Sequence, residues 1–136
     1  MSFGDFHPLV IHFPIALFGA SFFFDVLHLR WKHQGFPVAA HWNLRLALLA
    51  SVAAASTGFA ADRLVGHFIW PFVPWKTHGF LQLLALAVFV AVWVWEIRQH
   101  KTPRQPLPPF WIGLKGLAVA ILYYGSHLGA VLADRI

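Results

Sequence analysis

The distribution of apolar residues along the chain predicts four membrane-spanning helices. The long apolar stretches cover about residues 8–30, 42–61, 77–96 and 110–132. A helix needs about 20 mostly apolar residues to cross a hydrocarbon core of about 30 Å. These runs are too long for strands and lack their two-residue alternation, and backbone groups in lipid must be paired within a segment. We therefore expect an all-α integral membrane protein, an antiparallel four-helix bundle that forms one domain over residues 1–136.

The positions of the basic residues predict the orientation of this bundle. Four spans place both termini on one side of the membrane, which we call side A, and the other side is side B. Basic residues are more frequent on side B, and Lys115 lies one to two turns inside the fourth span from that side. Cytoplasmic loops carry an excess of lysine and arginine. We expect side B to be cytoplasmic and side A, with both termini, to be periplasmic in a bacterial inner membrane. The basic residues at side B are Arg30, Lys32, Arg45, Arg98, Lys101 and Arg104.

Composition narrows the chemistry that such a bundle can perform. Of the 136 residues, 59% are hydrophobic, 11% are charged and none is cysteine. This excludes a disordered chain, a disulfide scaffold and thiolate metal sites. The formal charge of +5 is scattered over the ends of the spans, so the expected partner is the lipid bilayer and not a nucleic acid. No nucleophile–base arrangement stands out, and the sequence assigns no enzyme class.

Histidines are the main chemical signal in a chain this apolar. There are nine, and His12, His78 and His127 lie near the side-A ends of three different spans. Their spacing along the helices places them at a similar depth. An ionisable residue within a span is a functional hypothesis by default. Each one alone is explained by a hydrogen bond to a carbonyl, a hydroxyl or water, whereas three at one depth predict a shared site.

The other histidines have simpler interpretations. His28 lies three residues after Asp25 near the end of the first span, and we expect a structural ion pair between them. Four more are predicted to be solvated at the membrane interface: His33, His41, His67 and His100.

The side-A histidines predict a haem b site and a role in electron transfer. Imidazole binds haem iron axially. His12 and His78 are the expected ligands, because the first and third spans lie diagonally opposite in a simple bundle, and His127 is the alternate ligand. A quinone or a periplasmic redox protein would exchange the electron. The residues expected around the ligands are His7, Asp62, Arg63 and Tyr124.

Two alternatives use the same sequence features. His12 and His78 can hold copper or zinc instead of haem, with Asp62 beside them. The protein can also be a non-catalytic accessory subunit that packs into a larger membrane complex or forms a homo-oligomer. The small size of the chain and its 14 phenylalanines favour this second alternative.

The chain resembles the domain-of-unknown-function 2231 family. The resemblance rests on the opening motif His-Pro-Leu-Val-Ile-His-Phe-Pro-Ile-Ala-Leu at residues 7–17. It extends to Phe24-Asp25 in the first span, Thr57-Gly58 in the second and His78 at the start of the third.

The resemblance implies a small bacterial membrane protein with four spans, and it implies no activity. It marks His7, His12, Asp25 and His78 as the recurring polar positions of the family. The family's last span usually has a tyrosine-leucine-glycine-glycine stretch. This chain has histidine in place of the tyrosine and alanine in place of the second glycine, at residues 127–130.

Overall fold

The computed structural model describes residues 3–65, 78–102 and 104–132, and the regular secondary structure of these residues is α-helix. The four helices are α1 (Phe3–Trp31), α2 (Gly35–Val65), α3 (His78–Gln99) and α4 (Pro109–Leu132).

Three of the helices contain segments that are long and apolar enough to cross a membrane. These segments are His12–Trp31, Gly35–Ser56 and Phe80–Gln99. The fourth helix, α4, has 24 residues and lies against α1 and α3. The prediction of an all-helical membrane bundle is confirmed.

Neighbouring helices in the sequence are also neighbours in space. α1 packs along α2 and α3 packs along α4, and the two pairs meet where α1 contacts α4 and α2 contacts α3. This is the arrangement of an antiparallel bundle with short connections. Because α1 and α3 are diagonal, their side chains meet in the centre, where Phe18 and Phe89 stack with ring centroids 3.9 Å apart.

The connection between α1 and α2 is shorter than the sequence pattern suggests. α2 begins at Gly35, whereas the predicted span begins near Trp42. Pro37 falls in its first turn, where a missing N–H costs no hydrogen bond. The early start places His41 inside the helix, where its side chain is buried. The expectation that His41 is a solvated interface residue is therefore wrong.

The turn that links α1 to α2 has one unusual residue. The N–H of Lys32 donates to the carbonyl of His28 at 3.0 Å, which ends α1. Lys32 has a φ of 53°, in the left-handed region that favours glycine. The N–H of Gly35 then donates to Nδ1 of His33 at 3.0 Å at the start of α2.

Small residues allow α1 and α4 to approach closely. Gly116 lies against the ring of Phe22, and Gly19 lies against the side chain of Tyr123. Small residues at helix contacts are typical of membrane bundles, in which close packing rather than the hydrophobic effect holds helices together. Lys115 precedes Gly116 in the same contact between α4 and α1, and its side chain is fully buried there.

Candidate functional site

Two of the predicted haem ligands lie on the outside of the bundle. The side chains of His12 and His127 are both exposed. Because Gly19 lies against Tyr123, the antiparallel helices place these histidines within about one turn of each other in depth. His78 is the first residue of α3, and its side chain lies outside the described part of the structure.

The expected surroundings of that site are described only in part. Tyr124 is 54% exposed. The side chains of His7, Asp62 and Arg63 lie outside the described set, although their backbone is helical. Among the described residues, no group of three or more histidine or acidic side chains is arranged to hold a metal ion. Haem and metal binding on side A stay predictions.

A different set of polar residues converges at the side-B end of the bundle. Each helix contributes one buried ionisable side chain, and each lies within about two turns of the helix end. We call this set the charged core, and it consists of Asp25 from α1, His41 from α2, Glu96 from α3 and Lys115 from α4.

The tightest contact in the charged core is an ion pair between α1 and α4. Nζ of Lys115 lies 2.6 Å from Oδ2 of Asp25, and the side chains are 0% and 4% exposed. The predicted partner of Asp25, His28, instead places its Nδ1 3.1 Å from the backbone carbonyl of His33. The expectation of a structural Asp25–His28 pair is wrong, because Lys115 reaches the carboxylate from the neighbouring helix.

The second contact of the charged core joins α2 to α3. Nδ1 of His41 lies 3.2 Å from Oε2 of Glu96, and both side chains are buried. Within the described residues, Nε2 of His41 and Nε of the nearby Arg45 are buried without a hydrogen-bond partner. Buried nitrogens of this kind are able to exchange hydrogen bonds with water or a bound group.

The two contacts are electrically one system. Lys115 interacts electrostatically with Glu96 as well as with Asp25, and the two carboxylates interact with each other. One ammonium group is thus shared by two acids, because a low local dielectric extends the range of each charge. A change of charge at one member is felt by the others.

The charged core has a pocket on its side-B face, and apolar packing lies toward side A among the described residues. A pocket of about 210 Å³ at the side-B end is lined by Asp25, among other residues. The main apolar cluster of the bundle extends toward side A through the Phe18–Phe89 stack, and it also reaches the side-B end at Leu107 and Ile112. Its other fully buried members include Leu44, Ala47, Ala85 and Val92.

His100 directly follows α3 at the side-B end of the bundle, close to Glu96 and His41 of the charged core. Its ring meets the ring of Trp95 at an edge, with centroids 5.2 Å apart. Partial burial lowers the pKa of His100, and the nearby Glu96 carboxylate opposes this effect. His100 was expected to be solvated, and it is half-buried instead.

The sequence contained a signal for the charged core that the histidine count obscured. Asp25, Glu96 and Lys115 all fall within or at the edge of the predicted spans, where an ionisable residue is costly and usually has a partner. The cluster on side B follows from these three charges, since all lie toward the same end of the helices. The sequence pattern does not include His41 in this cluster, because it predicts that the second span begins near Trp42 and not at Gly35.

These features define a helical membrane protein with a buried ionisable site. The chain belongs to the DUF2231 family, described as a predicted membrane protein, whose profile matches residues 5–136. The comparison with curated proteins gives no match, and neither does the comparison with solved structures.

Proposed function

We propose that this protein binds and releases protons at its charged core, as a small subunit of a proton-coupled membrane complex. The observation that carries the proposal is the convergence of one buried ionisable side chain from each of the four helices. Ionisable groups inside membrane bundles mark proton relays and ion pathways. One ion pair is enough to hold two helices together, whereas this cluster couples two ion pairs.

The chemistry follows from the contacts. A proton on Nδ1 of His41 is within hydrogen-bond distance of Oε2 of Glu96, so it can pass from the imidazolium to the carboxylate. The ammonium group of Lys115 lies 2.6 Å from Asp25 and interacts electrostatically with Glu96, so it stabilises whichever acid is charged. Asp25 is the acid of the charged core that lines the side-B pocket.

The apolar packing supports proton exchange with one side only. The Phe18–Phe89 stack and its neighbours separate the charged core from side A. Such a site binds and releases protons on side B without transferring them across the membrane. A partner protein is therefore needed to couple this proton exchange to another process. This supports the accessory-subunit hypothesis over an independent channel.

The basic residues support a cytoplasmic side B. Five of them flank the described helix ends there: Arg30, Lys32, Arg98, Lys101 and Arg104. By the positive-inside rule, we propose an orientation in a bacterial inner membrane with both termini in the periplasm. Protons would then enter the charged core from the cytoplasm.

Infrared difference spectroscopy of the protein in nanodiscs tests the proposal. We expect a C=O band of a protonated carboxyl group that changes with pH between about 4 and 9. The chain has five acidic residues, so assignment by substitution is practical. Glu96→Gln should remove part of this band, and His41→Gln should shift its titration. A spectrum without any carboxyl band that depends on Glu96 or Asp25 would contradict the proposal.

Haem-based electron transfer is the second candidate, and one observation favours it. His12 and His127 lie on adjacent helices at similar depth. Since both side chains are exposed, a haem, copper or zinc there also needs a surface from a second copy or another subunit. An absorption spectrum of the purified protein with a Soret band that His12→Ala abolishes would support haem. A spectrum without that band, together with metal analysis that finds none, would contradict it.

A further inference from the structure

The pocket at the side-B end has a polar rim and an apolar wall. Its volume is about 210 Å³, and Asp25, His28 and Lys32 are its ionisable residues. Asp25 is paired with Lys115 at 2.6 Å, so its charge is directed into the bundle and is opposed there by a cation. The charge that the rim offers to a ligand is therefore basic. The apolar wall includes Leu29, Pro37, Leu107, Pro108 and Ile112.

Lys32 occupies a backbone position that does not suit a lysine. Its φ of 53° closes the end of α1, where glycine is the usual residue. A residue with a side chain is strained in this region, so lysine lowers the stability of the turn relative to glycine. The side chain is exposed and forms no ion pair with the described residues. The turn alone gives no reason for a lysine.

His28 supplies a second donor to the same rim. Its Nδ1 lies at hydrogen-bond distance from the carbonyl of His33, which fixes the orientation of the ring. This leaves Nε2 for a contact with a ligand. The first turns of α2 and α4, which border the pocket through Pro37 and Pro109, contain no acidic residue. An anion in the pocket would meet no uncompensated negative charge from these elements.

We propose that this pocket binds the phosphate of an anionic phospholipid from the side-B leaflet, through Lys32 and His28. The position of the pocket at the helix ends matches the depth of lipid headgroups, and basic pockets between membrane helices recognise such headgroups. Its apolar wall fits the glycerol and the start of the acyl chains. An inorganic phosphate would use the same two side chains and leave this wall uncovered. The inference is independent of proton binding at the charged core.

Native mass spectrometry of the protein from nanodiscs tests this inference. One set of discs contains phosphatidylcholine alone, a second adds phosphatidylglycerol, and a third adds inorganic phosphate to the first. We expect retention of one phosphatidylglycerol molecule. Lys32→Gly should reduce this retention about fivefold, the factor expected for one lysine at a membrane surface. The matched control is Lys101→Gly, because Lys101 is exposed on the same side but outside the pocket.

Thermal unfolding of the same variants separates lipid binding from folding. Lys32→Gly relieves the left-handed strain, so its unfolding temperature in lipid-free detergent should equal or exceed that of the wild type. Lys32→Gly that retains phosphatidylglycerol, or Lys101→Gly that loses as much, would overturn the inference. Equal binding of inorganic phosphate without a preference for phosphatidylglycerol would also overturn it. Glu96→Gln, which tests proton binding, should leave lipid retention unchanged.

Discussion

The two ends of the bundle are held together by different forces. At the side-B end, ion pairs join α1 to α4 and α2 to α3 through buried side chains. The other described polar contacts between helices are two neutral hydrogen bonds: Oγ of Ser21 donates to the carbonyl of Ala40 at 2.6 Å, and Nε2 of Gln82 donates to Oγ of Ser126 at 3.2 Å toward side A. Apolar packing does the rest there. The side-B end therefore determines which helices pack against each other, because buried charges tolerate few alternative partners.

The largest effect that tests this contrast is the loss of one charge from the side-B end. Lys115→Ala leaves the Asp25 carboxylate buried without a cation, and we expect it to lower the free energy of unfolding by about 3–5 kcal/mol. The measurement is reversible unfolding in mixed micelles. Replacing both residues with leucine should recover most of this loss. Lys101→Ala, an exposed control, should change little. A Lys115→Ala variant within about 1 kcal/mol of the wild type would remove the contrast.

A smaller effect is expected where α1 and α4 approach each other. A Cβ added at Gly116 would lie 2.8 Å from a ring carbon of Phe22, so the ring must move. We expect Gly116→Ala to lower the free energy of unfolding by about 1 kcal/mol. At Gly113, an added Cβ has nothing within 4 Å, so Gly113→Ala should be neutral or stabilising. The same unfolding assay compares them, and equal losses would show that helix spacing does not depend on Gly116.

The hydrogen bond between Gln82 and Ser126 tests the difference between the two ends of the bundle from the side-A end. Gln82→Leu should cost only about 0.6 kcal/mol, the average for hydrogen bonds between membrane helices. Ser126→Ala should cost a similar amount, and the double variant should cost little more than either, because both substitutions remove the same hydrogen bond between α3 and α4. Ser126→Ala also removes the local donation from Oγ to the carbonyl of Leu122 at 2.8 Å. A double-mutant cycle in micelles gives the coupling directly. A coupling as large as that of Asp25 and Lys115 would show that both ends are equally specified.

The smallest expected effect is a pH dependence at the side-B entrance. Because burial lowers the pKa of His100 below its usual value of about 6.5, folding favours the neutral ring. The unfolded chain binds the proton more readily, so this contribution is present above about pH 6.5 and is lost as the pH falls below it. The unfolding temperature should therefore decrease between about pH 7 and 5.5. His100→Gln should make the decrease shallower than an exposed control, His33→Gln. An identical slope in both variants would contradict the role of His100.

The sequence was sufficient for the fold but not for the site. Long apolar runs and the ban on unpaired backbone groups in lipid predict helices and their order. They do not predict which face of a helix turns inward. His12 and His127 are at the predicted depth, but their side chains are exposed, because depth is set by position in the helix and orientation by packing.

The charged core also shows what the sequence pattern does not predict. The charges of Asp25, Glu96 and Lys115 are visible in the sequence, and their tendency to pair is a general expectation. The actual pairing depends on the contact of α1 with α4, which local pattern does not reveal. The burial of His41 depends on a helix start that Pro37 permits but does not require.

The distance along the chain between Asp25 and Lys115 has a consequence for biosynthesis. The two residues are separated by 90 positions. At a synthesis rate of about 5–20 residues per second, the carboxylate waits about 5–20 seconds for its lysine. During that time, α1 has an unmatched acid near its side-B end. A chain that terminates before Lys115 would never gain the cation that pairs with this carboxylate in the folded bundle.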